Sequence, residues 1–320
     1  MPDRVLVTGA TGFVGSHIAE VLAEAGYEVR CGVRASSDPR WICDLAVELV
    51  PFDLARPEDL PRAVEDVDVI VHAAGLVRAR RTRDYYLVNA KGTQRLAAVA
   101  AKTGVRRFVL ISSLAARGPD GLAKDVRDRP ASAYGWSKLE AEASLCVFGE
   151  RMETVVLRPS GVYGPRDTEL LPLFKLARGG WLPLPSGPRV LQPVYVADVS
   201  RATLAALREP ADFGPYPVAE AARYTWRDIA SGLEQVLDKP VRAVRLPAAV
   251  FELAGRSAEW TARLRGVSPI FDERRARDLA AYTWTCDPSG TERALGWRAE
   301  VRLLEGLEHT ARWYRQAGWI

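Results

Sequence analysis

Short apolar runs recur through the first half of the chain. Residues 4–8 (RVLVT), 28–33 (EVRCGV), 47–52 (VELVPF), 67–72 (VDVIVH), 107–112 (RFVLIS) and 154–159 (TVVLRP) have the length and composition of buried strands. The segments between them change period. Ile18, Val21, Leu22 and Ala25 recur at helical spacing, and Gly26 is placed to end that helix. Residues 57–64 give a short helix, residues 84–102 a longer one closed by Gly104, and another helix begins within SAYGWSK, residues 132–138. Strands that are apolar throughout, alternating with amphipathic helices, predict an α/β fold with a doubly wound parallel sheet covered on both faces. Such sheets bind ligands beyond the carboxyl ends of their strands, where the strand order reverses.

After residue 165 the rhythm changes. Residues 170–193 are rich in proline and glycine, and a strand at 194–196 (VYV) with a helix at 198–208 reads as a return to the sheet. From about residue 222 the pattern is that of a separate, mainly helical unit, closed by a helix with Leu303, Leu307, Ala311 and Tyr314 on one face. A chain of 320 residues is long for one core. The expected division is a nucleotide-binding domain from 1–165 plus about 190–221, and a smaller substrate domain from about 166–189 plus 222–320.

Composition narrows the partners. The 44 basic and 40 acidic residues are mixed along the chain, which argues against a nucleic-acid groove. No apolar run approaches the roughly 18 residues of a membrane span. Charged Asp3 and Arg4 lead straight into the first strand with no signal-peptide pattern, so a cytoplasmic location is expected. Cys31, Cys43, Cys146 and Cys286 form no CxxC pair, and reduced thiols are expected. His17, His72 and His309 have no metal-binding spacing, so no metal site is expected.

Two motifs carry chemistry. GATGFVG places Gly9, Gly12 and Gly15 between the first strand and first helix. Glycine permits positive φ and close backbone approach, and the helix N-terminus offers unpaired N–H groups to a pyrophosphate. The alternative is a tight strand–helix turn without a ligand. In SAYGWSK, Tyr134 and Lys138 are neighbours one helical turn apart, a spacing that any helix can carry.

Together with FDL (52–54), HAAG (72–75), VNAKGT (88–93), ISS (111–113), RPSGVYGP (158–165), VYVADV (194–199) and LGW (295–297), these motifs resemble the extended short-chain dehydrogenase/reductases over nearly the whole chain. The nearest pattern is the 3β-hydroxysteroid dehydrogenase-like, carbonyl-reductase branch. The resemblance implies a Rossmann domain in which Gly9, Thr11, Gly12, Phe13, Val14 and Gly15 hold the dinucleotide phosphates. Asp53 and Leu54 would hold the adenine, Ala73, Ala74 and Gly75 would pass under the cofactor, and Pro159 and Val162 would face the nicotinamide. Tyr134 would be the general acid/base, Lys138 its partner and a ligand of the ribose, and Asn89 a support of the active-site helix and its water. A free phenol has a pKa near 10, and a nearby cation lowers it by roughly 1–3 units, towards working pH. Ser113 would hold the substrate oxygen, while Ser112 is expected to bond the backbone locally. A homodimer through the helices starting near Asp84 and Tyr134 is typical of the family.

Cofactor choice sits at the end of the second strand, where NAD binding wants an acid for the ribose 2′-hydroxyl. This chain reads GVRASS: Val33 takes that position, Arg34 follows, and Ser36 and Ser37 stand near. An arginine pairs with a 2′-phosphate, so NADP(H) is expected over NAD(H). A solvated Arg34 is the alternative.

Substrate features are mostly departures. Leu114 and Ala115 follow Ser113 where dehydratases of the family carry acids, which excludes dehydration. Gly161 and Leu191 replace the Asn and Arg with which epimerases grip a nucleotide, although Arg166 or Arg189 is available as a substitute. WLPLP (181–185), Leu170, Leu171 and PAAVFELAG (247–255) suggest an apolar pocket wall, or else packing within the second domain. The basic run from Arg78 to Arg83 is either a solvated loop or a contact for an acidic substrate. The resulting expectation is an NADP(H)-dependent oxidoreductase acting by hydride transfer on a hydrophobic ketone, aldehyde or hydroxysteroid-like alcohol. A nucleotide-sugar epimerase and a non-catalytic NADP(H)-binding regulator are the alternatives.

Overall fold

Apolar side chains at successive strand positions point to opposite faces, so a strand that is apolar throughout needs cover on both. The computed structural model, which describes residues 3–120, 128–187, 189–247, 249, 250, 253, 257 and 282–320, meets that need. The strands are β1 (Arg4–Thr8), β2 (Glu28–Val33), β3 (Glu48–Pro51), β4 (Val69–His72), β5 (Arg107–Ile111), β6 (Glu153–Pro159), β7 (Val162–Tyr163), β8 (Trp181–Pro185), β9 (Val190–Leu191), β10 (Val194–Tyr195), β11 (Tyr216–Val218), β12 (Tyr224–Thr225) and β13 (Arg242–Leu246). The main helices are α1 (Phe13–Glu24), α2 (Leu60–Ala63), α3 (Thr82–Tyr85), α4 (Thr93–Thr103), α5 (Ala133–Leu145), α6 (Leu171–Arg178), α7 (Val196–Arg208) and α8 (Trp226–Leu237), with two more at Ser289–Leu295 and Leu303–Gln316.

Seven parallel strands form the central sheet in the order β11-β6-β5-β4-β1-β2-β3. Val5, Val7, Val69, Val71, Val109 and Val155 face Ile18, Leu22, Val199 and Ala202 of α1 and α7. The intervening positions, Leu6, Ile70, Phe108, Leu110 and Val156, face Leu96, Ala100, Ala141 and Leu145 of α4 and α5. The chain runs outward from β1 through β2 to β3, then returns to β4 on the other side of β1. The switch point therefore lies between β1 and β4, whose last residues Thr8 and His72 are in register.

Three details differ from the sequence-based expectation. The strand that returns to the sheet is β11; β10 pairs with β7 in a separate two-stranded ribbon, and Val196 already opens α7. Only three residues long, β11 lacks a periodic signal of its own. Second, the long helix begins at Thr82 and contains a π-helical stretch, Tyr86–Gly92, before α4. Widened turns of this kind recur at functional sites, and this one carries Asn89. Third, of the two readings of the apolar segments, the pocket wall gives way to the other, packing: they build a further core. Leu182 and Leu184 of β8 pack there with Phe174, Leu233, Leu307 and Tyr314, flanked by Leu170 and Leu171. Most of residues 247–255 lies outside the described residues.

The last residues of the chain also reach the sheet. Leu295 and Trp297 join the core beside α1 and α7. The Trp297 indole donates to the Asp198 carbonyl at 3.1 Å, and the buried Asp198 carboxylate accepts from the backbone of Glu300 and Val301. Among the described residues no helix is long and apolar enough to cross a membrane.

Candidate active site

The glycine loop is shaped by contacts that exclude side chains. Gly9 follows β1 with φ of 72°, and a Cβ there would stand 2.7 Å from the Ala74 backbone nitrogen. A Cβ on Gly15 would overlap the Gly9 carbonyl oxygen. Gly12 is the N-cap of α1 and has no side chain to occupy the first-turn N–H groups; no acid lies in that turn either. The dipole end and its donors face a cleft of about 560 Å³, lined by Gly9, Gly12, Phe13, Val14 and Gly15 on one side. Ala73 and Gly75 line it from the end of β4, and Pro159 and Val162 from the end of β6. Thr11 and Ala74 belong to the same two loops. This is the cradle a dinucleotide needs, with backbone close enough to reach phosphates and no Cβ in the way.

The candidate catalytic side chains line the same cleft. Ser132 caps α5, its Oγ accepting from the Gly135 N–H at 3.2 Å, and this fixes the turn that carries Tyr134. Tyr134 and Ser113 both line the cleft, and the Tyr134 ring meets that of Tyr85 edge-on at 6.1 Å. Lys138 is buried, and its Nζ donates to the Ile111 carbonyl at 2.8 Å. Burial pushes the Lys138 ammonium down to about 8, and Glu142 one turn further along α5 opposes that shift.

A relay of hydrogen bonds holds these parts together. Asn89 Nδ2 donates to Ser137 Oγ of α5 at 2.9 Å and to the Leu76 carbonyl at 3.0 Å, while its Oδ1 accepts from the Leu76 N–H at 2.7 Å. Thr93 donates to the Asn89 carbonyl at 2.5 Å, which leaves its oxygen to accept from His72 Nε2 at 3.0 Å. Thr8 Oγ1 accepts from the Ala74 N–H and sits 2.6 Å from His72 Nδ1. One tautomer satisfies every member: His72 carries its proton on Nε2 and accepts at Nδ1. Burial, with the Lys138 charge second, holds His72 at about 3, so the ring is neutral. His72 therefore has a polar role, linking β1, β4 and the π-helical stretch to α5.

The two serines exchange their expected local behaviour. Ser113 makes the local bond, accepting from the Ala115 N–H at 3.1 Å as N-cap of a short turn. Ser112 is buried, and its hydroxyl donates to the Glu142 carboxylate. Glu142 also accepts from Arg158 Nε at 3.0 Å, and Arg158 reaches Asp128 at 2.7 Å. The sequence reading does not include Glu142; its spacing four residues after Lys138 marks it only as a neighbour of that lysine.

The remaining candidates lie around the cleft. Arg34 is exposed directly after β2, and its side chain makes no hydrogen bond or ion pair among the described residues. Asp53 follows β3 and caps its own turn, accepting from the Ala55 N–H at 2.9 Å, while Leu54 is buried against Gly92. Arg166 does not reach the cleft as a substitute phosphate clamp, because Glu20 holds it at 2.9 Å and Ser16 at 3.2 Å. Among the described residues no cluster suits a metal ion.

A parallel sheet with a glycine loop at its switch point and a Tyr–Lys helix beside it defines a nucleotide-binding α/β enzyme of the extended short-chain dehydrogenase/reductase type. Residues 5–219 match the NAD dependent epimerase/dehydratase family, and the chain belongs to it. It is 35% identical over 319 residues to a ceramide reductase of Caulobacter vibrioides, covering 99% of this chain and 96% of that protein. It is 28% identical to a UDP-glucose 4-epimerase of Vibrio cholerae, covering 99% and 97%. The UDP-glucose 4-epimerase of Thermus thermophilus, solved in complex with NAD, superposes with a TM-score of 0.78 at 26% identity, covering 98% of this chain and 99% of that one.

Proposed function

We propose that the protein is an NADP(H)-dependent reductase of hydrophobic ketones or aldehydes, working reversibly on the corresponding alcohols. The observation that carries this reading is the gathering of Ser113, Tyr134 and Lys138 on the cleft that the glycine loop also lines. A bound nicotinamide supplies or accepts the hydride. Tyr134 holds the proton at the substrate oxygen and gives it up as the carbonyl is reduced. Ser113 orients that oxygen. Lys138 has one of its three donors on Ile111; the others are left for ribose hydroxyls, and its charge favours the phenolate. Arg34, exposed after β2, is the partner for a 2′-phosphate. Asp53 and Leu54 are the adenine side of the site, and Pro159 and Val162 the nicotinamide side.

The substrate follows from what the cleft lacks. Leu114 and Ala115 follow Ser113 without an acid, Leu191 is paired with Tyr224 between β9 and β12, and Arg166 is held by Glu20. A nucleoside diphosphate would find little to grip. The likeness to a ceramide reductase supports a long apolar carbonyl compound. The likeness to UDP-glucose 4-epimerases favours a second reading, which UDP binding would reveal. In the proposed organisation, residues 1–165 and about 190–221 hold the cofactor, while about 166–189 and 222–320 hold the substrate. Exposed Leu87 and Trp136, on the helices flanking the site, suit a homodimer face that sedimentation would report.

The test is NADPH and NADH oxidation against a panel of long-chain ketones and aldehydes. NADPH consumption that disappears in Tyr134→Phe supports the reading. Full activity in that variant removes Tyr134 from the chemistry.

A further inference from the structure

Arg78 and Glu169 meet at the cleft from opposite parts of the fold. Arg78 lies in the loop after β4, Glu169 in the loop before α6, and Nη2 of the first is 2.9 Å from Oε1 of the second. Both line the cleft. Their side chains are 27% and 33% exposed, so the pair is partly desolvated and within reach of a ligand. The loop behind Glu169 is held in place. The buried Asp167 carboxylate accepts from the backbone N–H groups of Glu169 and Leu170 at 2.7 and 3.1 Å, and the Tyr314 hydroxyl donates to the Asp167 carbonyl at 2.6 Å.

A second observation concerns the wall formed after β6. Ser160 lines the same cleft, and its Oγ is buried with no hydrogen-bond partner among the described residues. Its backbone is fixed, the N–H donating to the Val218 carbonyl at 3.0 Å. An unpaired buried hydroxyl costs free energy unless something completes it. Next to it, a Cβ on Gly161 would have no atom within 4 Å, so there is room for a group to approach.

The charges decide what that group is. Among the described residues Arg78 and Lys138 are the cations lining the cleft, and Arg78 pairs with Glu169 while Lys138 lies at the Ile111 carbonyl. A phosphate placed beside Arg78 would also face the Glu169 carboxylate, and like charges set together are penalised. A hydroxyl or amide both donates and accepts, so it suits the carboxylate and the guanidinium without charge conflict, and the Ser160 hydroxyl belongs to the same cleft.

We propose that Arg78, Glu169 and Ser160 form a polar subsite that takes an uncharged, hydrogen-bonding head group of the substrate, a hydroxyl or an amide, and turns away a phosphate head. This deepens the reductase reading and rests on it for the reacting carbonyl. The substrate class is then an amphiphile: an apolar carbonyl compound with a neutral polar end.

The probes are N-(2-hydroxyethyl)-3-oxododecanamide and its O-phosphate, which differ only in the head. Calorimetry on the full chain with NADP⁺ present reads their affinities, and thermal melts check each variant. The wild type is expected to bind the neutral probe at least about tenfold tighter. Glu169→Gln leaves Arg78 as an unpaired cation and should shift the ratio towards the phosphate by about tenfold to a hundredfold, the range of a charge-assisted bond. Arg78→Met removes the cation of the pair and should shift it the other way. Ser160→Ala should weaken the neutral probe several-fold. Equal affinities in the wild type, an unchanged ratio in both charge variants, or binding of neither probe would overturn the subsite. NADPH absorbance with the same probes separates the two ideas. Selective binding without reduction would sink the reductase reading alone, and reduction of both probes with equal kcat/KM would sink the subsite alone.

Discussion

Lys138 donates from Nζ to the backbone carbonyl of Ile111, the last residue of β5, at 2.8 Å. That bond anchors the cation of α5 to the strand from which Ser112 and Ser113 continue. Burial holds the ammonium at about 8, below the ordinary lysine value. The unfolded chain therefore binds the proton more readily than the folded one between about pH 8 and 10.5, and this group's share of stability rises with pH across that window. Activity runs the opposite way. As pH passes 8 the lysine loses the charge that favours the Tyr134 phenolate, so kcat/KM should fall on that limb. Lys138→Met should lower kcat/KM by about a hundredfold or more and abolish the limb. A pH profile of the two proteins checks both; an unchanged alkaline limb in the variant would assign it to another group.

The His72 relay makes a stability prediction of the same sign at lower pH. Burial holds the ring at about 3, against an ordinary 6.5, so between those values the unfolded chain takes a proton that the folded one refuses. Stability should fall as pH drops through that window. His17, held at about 4 chiefly by its own burial, adds a second contribution in the same direction. His72→Gln should cost about 1–3 kcal/mol at neutral pH through lost buried hydrogen bonds. It should also flatten, without removing, the acid slope. Urea denaturation at several pH values reads both effects.

On the proposed NADP(H) reading, cofactor preference would rest on Arg34, which is exposed after β2 and whose side chain makes no hydrogen bond or ion pair among the described residues. Arg34→Ala should weaken NADPH about tenfold to a hundredfold, the range for losing a charge-assisted bond, and leave NADH nearly unchanged. Fluorescence titration of the two reduced cofactors measures this. Equal losses for both would place Arg34 outside the 2′-phosphate site.

The sheet was legible in the sequence because its strands are covered on both faces. Runs such as VLV in β1 and FVLI in β5 must be apolar throughout, and that composition marks them without any alignment of partners. The glycine loop was legible because steric exclusion at Gly9 and Gly15 leaves no other residue type. What stayed hidden depends on contacts between distant segments. Nothing in the local pattern of Ser112 reveals that its hydroxyl reaches Glu142, thirty positions away, instead of the backbone beside it. Arg78 read as one of several arginines in a basic run, yet it alone of them lines the cleft, because Glu169 of a different loop meets it there. The short strand β11 was hidden for another reason: three residues are too few to show a period.

The Ser112–Glu142–Arg158 cluster behind the site gives the last prediction. Glu142 is buried four residues after Lys138 and takes bonds from Ser112 and from Arg158, which Asp128 also holds. A buried charge deprived of its partner is far more costly than the pair was favourable, by about 3–5 kcal/mol. Glu142→Ala, which leaves Arg158 with Asp128 alone and the Ser112 hydroxyl without its acceptor, should therefore destabilise and give less folded protein. Glu142→Gln retains shape and one acceptor while Asp128 continues to neutralise the guanidinium, so a smaller loss and a folded enzyme are expected. In that folded variant Lys138 loses the carboxylate that opposes its burial, and the alkaline limb of kcat/KM should move to lower pH. A merely structural Glu142 would lower the melting temperature and leave the limb where it was, so measuring the melt and the pH profile on the same preparation separates the two roles.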